Sequence, residues 1–133
     1  MLFRSIDVPA IRELFGRSTV GLAPFRGIEN YERNVPNKIH DYLSSGLPVV
    51  TPLGGVTREL LDSLGVAGRC EPGDPKSFAR ALAECRGSGP ARQQLRERHR
   101  ARFDPTSAYG DVVDRLEAIA AGRPIPRART SQS

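Results

Sequence analysis

The chain has 133 residues and a net charge of +5, and its 38% hydrophobic and 26% charged content is typical of one globular domain. No apolar run approaches the roughly 20 residues of a membrane-spanning helix, and the N-terminus lacks the apolar core of a signal peptide. These features argue against a membrane-spanning protein, and we expect a cytoplasmic one.

A short strand and a helix are predicted first. An edge strand is predicted over residues 1–6 from the apolar residues Leu2, Phe3 and Ile6. Asp7 can cap a helix that has Pro9 in its first turn, and Gly16 is expected to end that helix. Its apolar residues recur with helical spacing and predict a core-facing stripe: Ile11, Leu14 and Phe15.

A strand, a long loop, a short helix and a second strand form the centre of the chain. The strands are predicted over residues 20–25 and 48–51, where apolar runs are typical of buried parallel strands. The helix is predicted over 38–45, with Asn37 as its N-cap and Gly46 just after its end. This order predicts a βαβ unit, in which ligands collect at the carboxyl ends of the strands.

Two adjacent glycines, Gly54 and Gly55, follow the second strand. They either let the backbone pass close to another group or form a plain tight turn. Thr57 is the predicted N-cap of the next helix, and Gly65 is expected to end it. A short third strand is predicted over residues 66–71.

The next helix has the clearest start signal in the chain. Asp74 is its predicted N-cap and Pro75 its first residue. Its predicted apolar face consists of Phe78, Ala81, Leu82 and Cys85. Cys70 and Cys85 lack C-x-x-C spacing and fall on apolar positions, which indicates buried free thiols.

Two more helices are predicted towards the C-terminus, over residues 91–103 and 107–121. His99 lies in the first and is expected to fill space, since no second metal ligand lies at helical spacing from it. The second carries an apolar stripe of period 3.6: Tyr109, Val112, Val113, Leu116 and Ile119. Residues 122–133 lack periodicity, which predicts a disordered tail.

The excess positive charge lies in the last third of the chain. Residues 1–85 carry 10 Lys and Arg against 10 Asp and Glu, whereas residues 86–133 carry 10 against 5. The basic C-terminal helices could contact an anionic membrane surface, or they are simply a solvated Arg-rich face. Nucleic acid is not an expected partner, because no aromatic residues are interleaved with the arginines.

Alternating strands and helices predict an α/β protein with a partial doubly wound, Rossmann-like parallel sheet of about three to four strands. We expect this incomplete domain and its C-terminal helices to span residues 1–121.

Lys38 and Asp41 are the charged residues most suggestive of a site. A nucleotide-diphosphate site would combine a phosphate at the helix N-terminus, a lysine beside that phosphate and a carboxylate that accepts hydrogen bonds from the ribose hydroxyls. The alternative is a surface ion pair between residues three apart. The sequence contains no Walker loop, GxGxxG, GxSxG or metal-ligand cluster.

Several ordered segments resemble the C-terminal, donor-binding half of GT-B glycosyltransferases, closest to the retaining, group 1 (family 4) type. They are PNKIHDYLSSGLPVV at residues 36–50, then Gly54-Gly55, Glu59-Leu60 and PGDP at residues 72–75. The similarity covers residues 20–82, and the later helices fit the family's C-terminal helices. It implies transfer of a sugar from a nucleotide-sugar donor, with neither a cofactor nor a metal ion expected.

The resemblance also implies roles for individual residues. Asp41 would bind the donor ribose, and Lys38 would lie beside the phosphates and sugar together with the backbone of Val35, Pro36 and Asn37. Pro24 and Phe25 would border the donor pocket. Gly54 and Gly55 would line the rear of the cleft.

The chain departs from the family pattern in two respects. The family's first acidic residue falls on Arg33, and the adjacent Glu32 is the remaining candidate for a catalytic carboxylate. The N-terminal acceptor domain of the family has no counterpart, so we expect a fragment that is inactive alone and needs that domain or a partner subunit. The alternative is a non-catalytic nucleotide-binding or interaction module.

Overall fold

A computed structural model describes residues 6–26 and 31–125, apart from the side chains of residues 105, 107 and 108. The elements within this part of the chain are α1 Val8–Arg17, β1 Gly21–Leu22, α2 Asn37–Ser44, β2 Val49–Val50, α3 Gly55–Ser63, α4 Pro75–Gly87, α5 Arg92–Arg102 and α6 Pro105–Ala120. The chain divides into two compact units, Met1–His99 and Arg100–Ser133, and each is described by itself.

The predicted βαβ unit is confirmed. β1 and β2 pair in parallel, with Gly21 opposite Val49 and Leu22 opposite Val50, and α2 connects them. Both strands are shorter than predicted, although the Ala23 N–H still donates to the Val50 carbonyl at 3.0 Å.

The predicted third strand over 66–71 is reduced to one parallel bridge between Thr51 and Arg69. Gly68 has a φ of +100°, which takes the backbone out of the extended conformation just before Arg69. The sheet described here therefore has two strands, and not the three to four predicted.

Helices cover both faces of the sheet. Val49 and Val50 are both buried, and successive strand residues point to opposite faces. The larger cluster consists of Ala23, Ile39, Leu43, Val49, Leu60, Leu61, Leu64, Val66 and Leu95. The smaller consists of Val50, Cys70, Ala81 and Cys85, which confirms that both cysteines are buried and free.

The predicted start of α2 is wrong by one residue. Pro36, with φ −59° and ψ 142°, is the N-cap, and Asn37 is already helical and caps nothing. Proline already has the φ that this position needs, and the Pro36 carbonyl accepts the Ile39 N–H at 2.9 Å. Gly46 follows the helix with φ +76°, as predicted.

α1 has the predicted N-cap, but it ends later than predicted and its apolar stripe is less buried than predicted. The Asp7 side chain accepts the Ala10 N–H, whereas Gly16 lies within the helix, which continues to Arg17. Leu14 is 54% exposed, so the predicted core-facing stripe is wrong at that position. Ile6 is exposed and not in a strand, and residues 1–5 lie outside the described residues.

α3 begins three residues earlier than predicted, with Gly54 as its N-cap. Thr57 is instead fully buried, and its hydroxyl donates to the Asn34 carbonyl at 3.3 Å. Gly65, with φ +76°, follows the end of α3 as predicted. α4 has the predicted Asp74 cap and Pro75 start.

α5 is tied to two other helices by arginine side chains. The Arg92 guanidinium donates to the carbonyls of Phe15, Gly16 and Ser18 at 2.7–3.0 Å. Arg98 donates to the Leu64 carbonyl at 3.0 Å. Both arginines thus satisfy carbonyl groups at helix C-termini, where a cation is also favoured by the helix dipole.

In the second unit, Asp104 caps α6 by accepting the Thr106 N–H at 3.2 Å. The helix begins at Pro105, two residues before the predicted start. Its apolar stripe is exposed along its length: Tyr109, Val112, Val113, Leu116 and Ile119. Of the predicted disordered tail, residues 126–133 lie outside the described residues.

Candidate functional site

The exposed face of α2 carries the two charged residues singled out from the sequence. Ile39 and Leu43 are fully buried beneath the helix, whereas Lys38 and Asp41 are exposed. The salt bridges among the described residues are Arg17–Glu13 and Arg58–Asp62, so Lys38 and Asp41 do not form the surface ion pair that was the alternative. Both side chains are therefore accessible to a ligand.

Tyr42 holds α2 over the first strand. Its ring lies against Gly21, where an added Cβ would come within 2.5 Å of the ring. Its hydroxyl donates to the Leu22 carbonyl at 3.2 Å, and its ring centroid is 5.3 Å from that of Phe15. Burial raises the pKa of Tyr42, and the negative charge of Asp41 raises it further. These contacts position α2, and with it Asp41, relative to β1.

On the other side of α2, His40 contacts His99 of α5. Nδ1 of His40 lies 3.0 Å from Nε2 of His99, within hydrogen-bond distance, and the rings are tilted by 55°. Burial lowers the pKa of His40, although neighbouring Asp41 opposes this. Burial lowers the pKa of His99 too, and His40 adds to this lowering. His99 thus has a specific partner, which the sequence did not reveal because the two residues are 59 positions apart.

The glycine pair Gly54-Gly55 makes the close backbone approach that was one of its two interpretations. Gly55 has φ +51°, and an added Cβ would collide with the carbonyl oxygen of Glu32. The same carbonyl accepts the Val56 N–H at 3.1 Å. Glu32, the candidate catalytic carboxylate, is therefore held against the first turn of α3.

A cavity of about 680 Å³ opens where the strands end. Its lining follows β1, β2 and the Arg69 bridge and continues into the first turns of α4: Pro24, Phe25, Arg26, Pro52, Cys70, Glu71, Pro72, Gly73, Asp74, Pro75 and Phe78. In parallel sheets this edge is where ligands bind.

The predicted site residues fall in three places. Pro24 and Phe25 line the cavity. Glu32, Gly54 and Gly55 lie together at the start of α3. Val35 and Pro36 are half-buried before α2, and Asn37, Lys38 and Asp41 are exposed on it; none of these five lines the cavity.

Most of the cavity lining was missed from the sequence. The PGDP turn at residues 72–75 was predicted to start a helix and was among the segments that resemble glycosyltransferases, but it was not predicted to form a wall of the cavity. A signal was present, since the lining residues other than Phe78 lie at the carboxyl ends of the predicted strands or directly after them.

No group of three or more His, Cys, Asp or Glu residues suited to a metal ion occurs in the part of the chain that the structure describes. None of the helices described there has the length and hydropathy needed to cross a membrane.

A sequence model of the family described as Glycosyl transferases group 1 matches residues 3–88, more than half of the chain. Comparisons with curated proteins and with solved structures gave no match.

Proposed function

The chain belongs to the group 1 glycosyltransferase family, and on that basis we propose that it binds the nucleotide-sugar donor of a retaining glycosyltransferase. The acceptor domain would be supplied by a further part of the protein or by a partner subunit, and the chain alone would be inactive. The donor would bind beside the N-terminal half of α2.

The observation that carries this proposal is the exposed carboxylate of Asp41 on a helix whose start is uncapped by side chains. Pro36 precedes α2 and has no side chain that could accept a hydrogen bond, so none caps the first N–H groups of the helix. An anionic diphosphate is favoured at such a helix start, because free backbone N–H groups can donate hydrogen bonds to it and the helix dipole attracts negative charge there. Lys38 and Asp41 are exposed in the first half of the same helix. Lys38 would supply a cation for the phosphates, and Asp41 would accept hydrogen bonds from the ribose hydroxyls.

The proposed reaction needs no nucleophile from the protein. The bond between the anomeric carbon and the departing diphosphate oxygen breaks, and the acceptor oxygen bonds to the same face of that carbon. The acceptor proton passes to the departing diphosphate oxygen. Protein groups that neutralise the diphosphate, with Lys38 first among them, would lower the barrier because negative charge grows there in the transition state.

Glu32 is the proposed carboxylate at the sugar end of the donor. Its backbone is fixed by the Val56 N–H, and one of its carboxylate oxygens lies 4.0 Å from the position that a Cβ on Gly54 would take.

A non-catalytic nucleotide-binding module is the second candidate function. Arg33 favours it, since an arginine occupies the position of the family's first acidic residue.

Calorimetric titration of the chain with UDP, GDP and their sugars tests the donor role. We expect binding to weaken about tenfold in Asp41→Ala, the equivalent of about 1.4 kcal/mol, because hydrogen bonds to a charged group are lost. Asp41→Glu, which restores the family's residue, should bind at least as tightly as the parent chain.

Glu84→Ala is the matched control, because Glu84 is also an exposed helical carboxylate but lies on α4. If Asp41→Ala and Glu84→Ala bind nucleotide equally well, the ribose role of Asp41 is wrong. Binding without sugar transfer, once the acceptor domain is supplied, would favour the non-catalytic module.

A further inference from the structure

A second cavity, of about 460 Å³, lies where the C-terminal ends of α1 and α2 meet the start of α5. Its polar lining consists of three arginines and two serines, and we call it the arginine cavity: Arg12, Arg92, Arg96, Ser44 and Ser45. It shares no lining residue with the proposed donor site. α2 has eight residues, so its start lies about 12 Å away along the helix.

Gly46 allows α5 to approach the end of α2 and so brings two arginines to the cavity. It has φ +76°, and an added Cβ would collide with the Arg92 carbonyl oxygen and lie 2.9 Å from Cγ of Arg96. Arg92 is fixed further by its three hydrogen bonds to carbonyls at the end of α1. Part of the cavity wall is therefore ordered before any ligand binds, which lowers the entropic cost of binding.

The positive charge of the arginine cavity is not balanced by a carboxylate. Among the described residues, no acidic side chain lines it, and the guanidinium groups of Arg12 and Arg96 form neither a hydrogen bond nor an ion pair. The glutamates of the same helices have other partners. Glu13 pairs with an arginine of α1 at 3.9 Å, and Glu97 accepts a hydrogen bond from Gln93 at 3.0 Å. The like charges around the cavity repel each other, and an anion between them would offset this repulsion.

Carbonyl groups at helix ends would repel an anion, but those beside the cavity already accept hydrogen bonds. Arg92 donates to the carbonyls at the end of α1, and the N–H groups of residues 45–47 donate to the carbonyls of residues 41–43. The hydroxyls of Ser44 and Ser45 both donate to the Asp41 carbonyl at 3.0 Å. One hydroxyl can therefore turn to a ligand while the other still satisfies that carbonyl.

We propose that the arginine cavity binds a phosphate group. A guanidinium can donate to two phosphate oxygens at once, and three cations favour a group that carries more than one negative charge, which a carboxylate does not. Two sources present this chemistry, a soluble phosphate and the headgroup of a membrane phospholipid, and the experiment separates them. The inference does not depend on the proposed donor function.

Titration of the full chain with inorganic phosphate at constant ionic strength tests the site. We expect saturable NMR shifts of the Nε–H groups of Arg12 and Arg96 and of the backbone amides of Ser44 and Ser45. Sodium chloride alone should not produce them. UDP and GDP should shift the start of α2 first, because only there would a carboxylate, that of Asp41, meet the ribose hydroxyls.

Two double variants are matched in charge: Arg12→Gln/Arg96→Gln and Arg80→Gln/Arg86→Gln. Each removes two exposed helical arginines, but Arg80 and Arg86 lie on α4 and do not line the cavity. The first variant should bind phosphate about tenfold more weakly, because two cations that would face it are lost, and the second should bind it like the parent chain. Arg92 is kept because it ties α1 to α5, and circular dichroism checks that both variants fold.

Phosphate affinity is measured at the amides of Ser44 and Ser45, which both variants retain. Equal affinity in the two double variants overturns the inference. The absence of a phosphate-dependent shift at the cavity, or shifts that chloride reproduces, would overturn it too. The donor role of α2 is judged separately by the nucleotide titration.

Sedimentation with vesicles identifies the source of the phosphate. Phosphatidylcholine vesicles that contain phosphatidic acid present a phosphate monoester at a membrane surface. Sedimentation that is lost in Arg12→Gln/Arg96→Gln and kept in Arg80→Gln/Arg86→Gln would assign the ligand to a phospholipid headgroup. No difference between the two variants, with phosphate binding as expected, would assign it to a soluble phosphate.

Discussion

Gly55 is a residue at which both conformation and contact are tightly constrained. Its φ of +51° lies in the left-handed region, and the Glu32 carbonyl occupies the space that a side chain would need. The Val56 N–H then donates to that carbonyl at 3.1 Å. The position of Glu32 in the candidate site thus depends on the absence of a side chain at residue 55.

Gly55→Ala should lower the free energy of unfolding by about 1–3 kcal/mol, because alanine is strained at this φ and its methyl group displaces Glu32. Gly16→Ala is the control, since Gly16 lies within α1 and an added Cβ meets nothing within 4 Å. That control should gain about 0.5–1 kcal/mol from reduced backbone entropy. Urea unfolding measures both, and equal stability of the two variants would contradict the close approach of Glu32.

At the scale of elements, two helix starts were predicted correctly from the sequence and two were not. Asp7 and Asp74 were identified as caps because a carboxylate followed by proline has a local signature. Asn37 and Thr57 have suitable side chains too, but Pro36 and Gly54 cap those helices. The start of α3 depends on the distant Glu32 carbonyl, and no local pattern encodes that contact.

The contact between α2 and α5 should make stability depend on pH. Burial lowers the folded-state pKa of His40 and His99, so protons bind the unfolded chain more readily once the pH falls below the ordinary histidine pKa of about 6.5. The contribution of the two neutral histidines to the free energy of unfolding is complete above that pH. It is lost progressively as the pH falls through their lower folded-state pKa values.

Urea unfolding between about pH 7.5 and about pH 5 measures this dependence. His99→Gln, which keeps a polar side chain opposite His40, should reduce the loss of stability on acidification. An unchanged pH dependence in His99→Gln would show that His99 does not titrate between the folded and unfolded states as argued.

At the scale of the whole molecule, the α/β class and the parallel βαβ unit were predictable from apolar runs and periodicity. The extent of the sheet was not, because the backbone at Gly68 leaves the extended conformation and only Thr51 and Arg69 pair there. The cavity was also missed, since it arises from segments that are distant in the sequence and meet only at the sheet edge. The exposure of Asp41 agrees with the helical spacing of Ile39 and Leu43, which are buried on the core-facing side of α2.

Backbone amide shifts during a titration with UDP or GDP test most directly whether nucleotide binds at the start of α2. We expect shifts concentrated at residues 35–41 and at Gly54 and Gly55, and we expect Asp41→Ala to reduce them. Shifts concentrated instead near Arg12 and Arg96, which line a separate cavity at the C-terminal ends of α1 and α2, would contradict it. So would the absence of any shift at saturating nucleotide.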